Sequence, residues 1–177
     1  MRFVSNGLPG SAPEFMLFWR ETPKVPGSID AACFSQWFPA PFVIDGVRYS
    51  TAEHFMMAEK ARLFGDAATL EKILAAPSSG AAKALGRVIV HYDDAQWSAA
   101  RFDVVVRGSI AKFGQNDRLR TFLLETGEKI PAEASPTDTI WGIGLAASDE
   151  RARDPMQWRG LSLLGFALVE ARRQLRA

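Results

Sequence analysis

The pair Asp45-Gly46 constrains this chain more than any other feature. It sits between two short apolar runs within residues 41–49, PFVIDGVRY. Both residues tolerate the positive φ of a type I′ turn, so the segment predicts a β-hairpin. The second strand then runs straight into Ser50-Thr51-Ala52-Glu53, which has the pattern of a helix start. Downstream, helical periodicity outnumbers strand alternation. Helices are expected over 51–64, 66–75, 79–86, 95–113, 116–126 and 161–175. Pro77 separates the second and third, Ser78 or Ser79 caps the third, Asp94 caps the fourth and Gly127 stops the fifth. Trp97, Phe102, Val105, Val106 and Ile110 make the fourth a largely buried element. Residues 15–19 read as a strand and 129–134 as an edge strand. The expected class is α+β: a predominantly helical single domain with a small antiparallel sheet. Residues 1–14 read as a flexible leader and 15–177 as the domain.

Ser50 and Glu53 are spaced as a capping box, with the Ser50 side chain accepting from the Glu53 amide and the Glu53 carboxylate reaching back. The same glutamate has a second reading. Glu53, Met57 and Lys60 lie at i, i+4 and i+7 and share one helix face, so a carboxylate and an ammonium can bracket a polar ligand. His54 is rotated to a neighbouring face, where a packed histidine is the ordinary outcome. The long segment 141–160, rich in Gly and charge, reads as a functional loop.

Charge and cysteine usage remove several classes of function. The net charge is +1, without the basic excess of a general nucleic-acid surface. Cys33 is the single cysteine, so an intrachain disulfide and a thiolate zinc cluster are excluded. With two histidines and no spaced aspartate loop, no metal site is expected. The N-terminus lacks the pattern of a secretory signal, and no stretch approaches a membrane span. A cytoplasmic protein with no membrane partner is the expectation.

The order of short motifs is more specific than any one of them. It begins with Phe34–Phe38 (FSQWF), Pro41–His54 (PFVIDGVRYSTAEH), Ala58–Lys60 (AEK) and Lys83–Arg87 (KALGR). Trp97, Lys112–Asn116 (KFGQN), Leu123–Gly127 (LLETG) and Glu133–Asp138 (EASPTD) follow. Trp141–Leu145 (WGIGL), Trp158–Gly160 (WRG) and Leu164-Gly165 complete it. Over residues 33–175 the chain resembles the NADAR family of YbiA-like proteins. The resemblance implies hydrolysis of an N-glycosidic bond in a ribosylated heterocycle, with neither metal nor cofactor. Two substrate classes are attached to the family: early ribosylamino-pyrimidine phosphates of riboflavin synthesis, and ADP-ribose linked to guanine in nucleic acid. The implied partner is thus a small phosphorylated ribosyl compound, with ADP-ribosylated nucleic acid as the alternative. A non-catalytic ADP-ribose or nucleotide-binding module is a further alternative of a different class.

Such a cleavage builds positive charge at the anomeric carbon, which a carboxylate stabilises, and its leaving amine needs a proton. The resemblance makes Glu53 the first candidate carboxylate and Asp138 the second, although Asp138 also suits a turn after Pro136. Lys60 is the candidate to steady Glu53, hold phosphate or attack an opened sugar. Arg87 is a candidate for phosphate, or for capping carbonyls at a helix end. Trp97 and Trp141 are candidate stacking faces, Trp97 with a strong competing role in the core. Ser35, Gln36, Trp37 and His54 are further binding candidates. Gly142 flanks Trp141, and Asp154, Trp158 and Gly160 belong to a loop that would close over the site. The chain departs from the family in two places. Gln36-Trp37 stands where Asn-Phe is usual, and Ser162 where Asn is usual, and both bear on substrate choice.

Overall fold

In a computed structural model, which describes residues 13–177, Asp45 and Gly46 adopt φ of 50° and 78°. They join an antiparallel pair, β2 (Phe42–Ile44) and β3 (Val47–Tyr49), in the register Phe42 to Tyr49 and Ile44 to Val47. The hairpin faces inward through Phe42 and Tyr49, which pack with Phe55 at centroid distances of 6.0 and 5.1 Å. Its outer edge is closed by a side chain rather than a strand. Gln115 accepts from the Val43 amide and donates to the Val43 carbonyl, both at 2.8 Å, which satisfies a backbone pair that would otherwise lie open.

The helices are α1 (Ala52–Leu63), α2 (Ala67–Leu74), α3 (Ser79–Gly86), α4 (Asp94–Gly114), α5 (Asp117–Glu125) and α6 (Leu163–Arg176). They fall within a residue or two of the expected ranges. The caps differ. Thr51, not Ser50, is the N-cap of α1, accepting from the His54 amide at 3.4 Å. Asp93, not Asp94, caps α4. The capping box from Ser50 to Glu53 is therefore absent, because extended backbone at Thr51 moves the helix start on by one residue. Glu53 instead gives its amide to the Gln36 carbonyl at 3.0 Å. That bond ties the start of α1 to the segment 35–37, which follows a 3-10 turn at Ala31–Phe34.

The strand expected over 15–19 is β1 (Phe15–Phe18), and the edge strand is β4 (Ile130–Glu133). They pair with each other in parallel, Phe15 to Ile130 and Phe18 to Glu133. This parallel ribbon stands beside the expected antiparallel sheet. Pro131 fits because a strand paired on one side has amides with no ladder to serve. The leader expected over 1–14 lies outside the described residues up to residue 12. Glu14 belongs to the fold: its carbonyl accepts from Ile130 and its carboxylate pairs with Lys129 at 2.7 Å.

β1 alternates as a strand should. Phe18 and Met16 join the main core between the helices, whereas Phe15 and Leu17 join a smaller cluster with Ala132, Ile143, Leu145 and Trp158. α4 crosses the centre, packed on both α1 and α6. Among the described residues, no helix is long and apolar enough to cross a membrane.

Candidate active site

The 35–37 segment, α1, α3, the start of α4, the end of β4 and residues 135–141 enclose a cavity of about 680 Å³, within the usual range for a small-molecule site. Nine of the candidate residues line it: Ser35, Gln36, Trp37, Glu53, Lys60, Arg87, Trp97, Asp138 and Trp141.

Glu53 stands at one end. It is 3% exposed, and its Oε1 has no hydrogen-bond partner. Burial pushes its carboxyl up to about 7, against the opposing effects of the Lys83 charge and a hydrogen bond with Trp37. The charges of Glu133 and Asp138 add to the rise. Glu133 is also pushed up to about 7, by burial first and by the Asp138 charge next, with Lys83 again opposing. Asp138 has a structural duty as well. Its Oδ1 accepts from the amides of Ile140 and Trp141 at 2.9 and 2.7 Å, so it shapes the turn and lends its charge to the two glutamates. Among the described residues no three such groups converge as metal ligands.

Glu133 and Lys83 are the groups that sequence reasoning does not single out. A glutamate ending a buried strand is the signal that marks Glu133, since unpaired glutamates are seldom found there. Lys83 is the ammonium that faces Glu53. Lys60 is not, because seven residues of helix carry it about 10 Å along the axis. Lys60 Nζ donates to the Gly86 carbonyl at 2.8 Å and lies 4.2 Å from the Tyr92 ring centroid and 5.9 Å from that of Trp97. Desolvation lowers its pKa. With Arg87 and Arg101 it makes the far end of the cavity cationic and aromatic.

The 35–37 wall is held from behind. Lys112, 1% exposed, donates to the Ser35 carbonyl at 2.7 Å. Its burial pushes the amine down to about 7, while burial lifts the neighbouring Cys33 thiol to about 12.

The remaining candidates are not brought to the cavity. His54 is buried, with Nδ1 on Thr51 Oγ1 at 2.8 Å and Nε2 on the Ala76 carbonyl at 3.1 Å, so both ring nitrogens are committed. Asp154 caps the short turn Pro155–Gln157. Trp158 packs edge-on against Phe15 and donates to the Ala152 carbonyl at 2.9 Å, behind the β1–β4 ribbon. Gly142 and Gly160 are backbone contact points. A Cβ on Gly142 would meet the Glu133 carbonyl at 2.9 Å, and one on Gly160 would meet the Gly142 carbonyl at 2.3 Å. Of the two departures from the family pattern, Gln36 lines the cavity. Ser162 does not: it is 1% exposed and gives its amide to Gly142.

Fold and site together define a helical α+β protein built around an acid-lined cavity for a small molecule. The family model of the NADAR domain matches residues 17–176, and the chain belongs to the NADAR family. It is 42% identical over 146 residues to an N-glycosidase of Acanthamoeba polyphaga mimivirus, covering 80% of this chain and 86% of that one. It is 30% identical over 148 residues to the N-glycosidase YbiA of Escherichia coli, covering 84% of each. The NMR structure of the E. coli YbiA protein superposes with a TM-score of 0.73 at 28% identity, over 92% of this chain and 85% of that one.

Proposed function

We propose that the chain hydrolyses the N-glycosidic bond of a small ribosylated heterocycle, of the kind represented by the ribosylamino-pyrimidine phosphates early in riboflavin synthesis. One observation carries this reading: two carboxyls, the buried Glu53 and the half-buried Glu133, face one cavity, and desolvation pushes both up to about 7. Such a pair supplies one proton donor and one anion at neutral pH. The N-glycosidase names of the relatives from mimivirus and E. coli support the same chemistry.

In the proposed reaction the bond from C1 to nitrogen breaks with its electron pair moving to nitrogen. Protonated Glu133 supplies the proton that the leaving amine takes up. Glu53 as carboxylate stabilises the cationic sugar and accepts a proton from the water that adds to C1. Asp138 and Lys83 set the balance of charge between the two. Neither metal nor cofactor is needed for these steps, and the reading places the protein in the cytoplasm. The net charge of +1 favours a small substrate over ADP-ribosylated nucleic acid. A module that only binds phosphates gains nothing from two desolvated carboxyls beside the ligand.

Incubation with a ribosylamino-pyrimidine phosphate, and separately with ADP-ribosylated guanine DNA, separates these readings by product release. Release from the first is the expected result. Release from the DNA alone would move the activity to nucleic acid, and release from neither would leave a binding module. The pH dependence of kcat/KM should be bell-shaped around 7, its acid limb reporting the ionisation the pair needs and its alkaline limb the loss of the donor proton. Glu133→Gln should lower kcat by about 10²–10⁴ and remove the alkaline limb. A wild-type profile flat from acid to alkaline pH would exclude the two-carboxyl mechanism. Trp141, half-buried on the cavity wall, offers a face to the base. Trp141→Ala should raise KM about tenfold, as loss of one stacked aromatic does; an unchanged KM would remove that role.

A further inference from the structure

Arg101 is half-buried on α4 and lines the end of the cavity remote from Glu53. Its Nε is buried and has no hydrogen-bond partner. Among the described residues its guanidinium makes neither a hydrogen bond nor an ion pair. Arg172, the buried arginine of α6, shows the ordinary arrangement, donating to Thr126 Oγ1 and to the Lys129 carbonyl, both at 2.6 Å. A buried Nε without an acceptor is costly, and the rest of the guanidinium opens to the cavity with no acceptor from the chain, so a partner from outside the chain is the natural complement.

The surroundings identify that partner's charge. Trp97 and Arg101 are four residues apart on α4 and share its cavity face. Beside them stand Lys60 and Arg87. The acidic group at this end, Asp94, already accepts the Tyr92 hydroxyl at 2.7 Å. Lys60 spends one donor on the Gly86 carbonyl. The guanidinium fork of Arg101 therefore remains open, in a shape that matches two phosphate oxygens. We infer that Arg101, assisted by Arg87, seats the phosphate of a phosphorylated ribosyl ligand, whose anomeric carbon then lies toward Glu53. The orientation rests on the N-glycosidase reading; the phosphate seat does not. The roughly 10 Å of α1 between Glu53 and Lys60 leaves room for a ribose between the two ends.

Calorimetric titration of the full chain with ribose, ribose 5-phosphate and ADP-ribose tests this without any turnover. Ribose 5-phosphate should bind at least tenfold more tightly than ribose. Arg101→Ala and Arg101→Gln should each lose tenfold or more in affinity for the phosphorylated ligands and nothing for ribose, while Arg101→Lys keeps part of it. Both variants should keep the wild-type melting temperature, since no internal bond is removed, and Arg101→Gln retains most of the volume. Tighter binding of ADP-ribose than of ribose 5-phosphate would assign the seat to a diphosphate, and the reverse to a monoester. Equal affinity of wild type and Arg101→Gln for ribose 5-phosphate would overturn the inference, as would absence of ribose 5-phosphate binding by the wild type. Phosphate-dependent binding without product release from any N-glycoside would defeat the catalytic proposal and leave this one standing.

Discussion

Glu53→Gln is expected to abolish hydrolysis, by about a thousandfold or more in kcat, and to make the protein more stable at pH 8. The first effect follows from removing the anion beside the cationic sugar and the acceptor for the water's proton. The second follows from burial. The folded carboxyl titrates near 7 against 4.5 for the free group. Between those values the native state holds the proton more firmly than the unfolded chain. The stability this confers is complete below about pH 4.5 and is lost as the pH rises through 7. Above 7 the ionised side chain sits 3% exposed, at a cost of about 3 kcal/mol from a shift of this size. Glutamine never ionises, though its amide has its own unmet bonds, so the net gain should be roughly 1–3 kcal/mol at pH 8. In a chain of 177 residues that corresponds to a rise of roughly 3–10 °C in melting temperature. The gain should shrink toward pH 4.5. Thermal melts at both pH values, beside an assay of product release, read the two effects separately. Normal turnover would remove Glu53 from the chemistry. Lower stability at pH 8 would mean that the carboxylate does hold the helix start.

From sequence alone, Glu53 remains divided between cap and catalyst. Ser50 and Thr51 both suit an N-cap, and only the backbone conformation at Thr51 decides between them. The cap fell to Thr51, which frees the Glu53 side chain for the cavity. Much of the rest was legible because it is local. The hairpin follows from the φ preferences of Asp45-Gly46, and the helix ranges follow from apolar spacing. The parallel pairing of β1 with β4 was not legible, since nothing in two four-residue strands encodes a partner more than a hundred residues away. The site divides the same way. Glu53, Trp37, Asp138 and Trp141 sit in recognisable motifs and meet in the cavity. Lys60 shares a helix face with Glu53, but a shared face fixes direction and not distance, and Lys83 from α3 takes the place beside the carboxylate. Trp158 and Asp154 belong to an equally recognisable stretch that serves packing behind the ribbon.

Gly160 tests that last distinction most sharply, and Gly160→Ala is expected to destabilise the fold by roughly 2–4 kcal/mol. Its added Cβ would lie 2.3 Å from the Gly142 carbonyl oxygen, 2.9 Å from Thr139 Cα and 3.0 Å from the Ile143 carbonyl carbon. All three are backbone atoms, which cannot rotate aside as a side chain does, so the cost exceeds that of ordinary overpacking. The contact is one of a pair. Gly142 is itself pressed against the carbonyls of Glu133 and Asp138. Around them the Gly160, Leu161 and Ser162 amides donate to Ile143, Thr139 and Gly142, at 3.0, 2.9 and 3.1 Å. Through these two glycines the end of β4, the turn bearing Asp138 and Trp141, and the entry to α6 share one backbone layer. Pushing that layer apart should lower the melting temperature by roughly 5–15 °C. It should also move Trp141 and Asp138 away from Glu53, so kcat should fall in the fraction that still folds. A loop closing over bound substrate would behave otherwise: Gly160→Ala would then leave the melting temperature unchanged and raise KM alone, and that outcome would return Gly160 to the binding site.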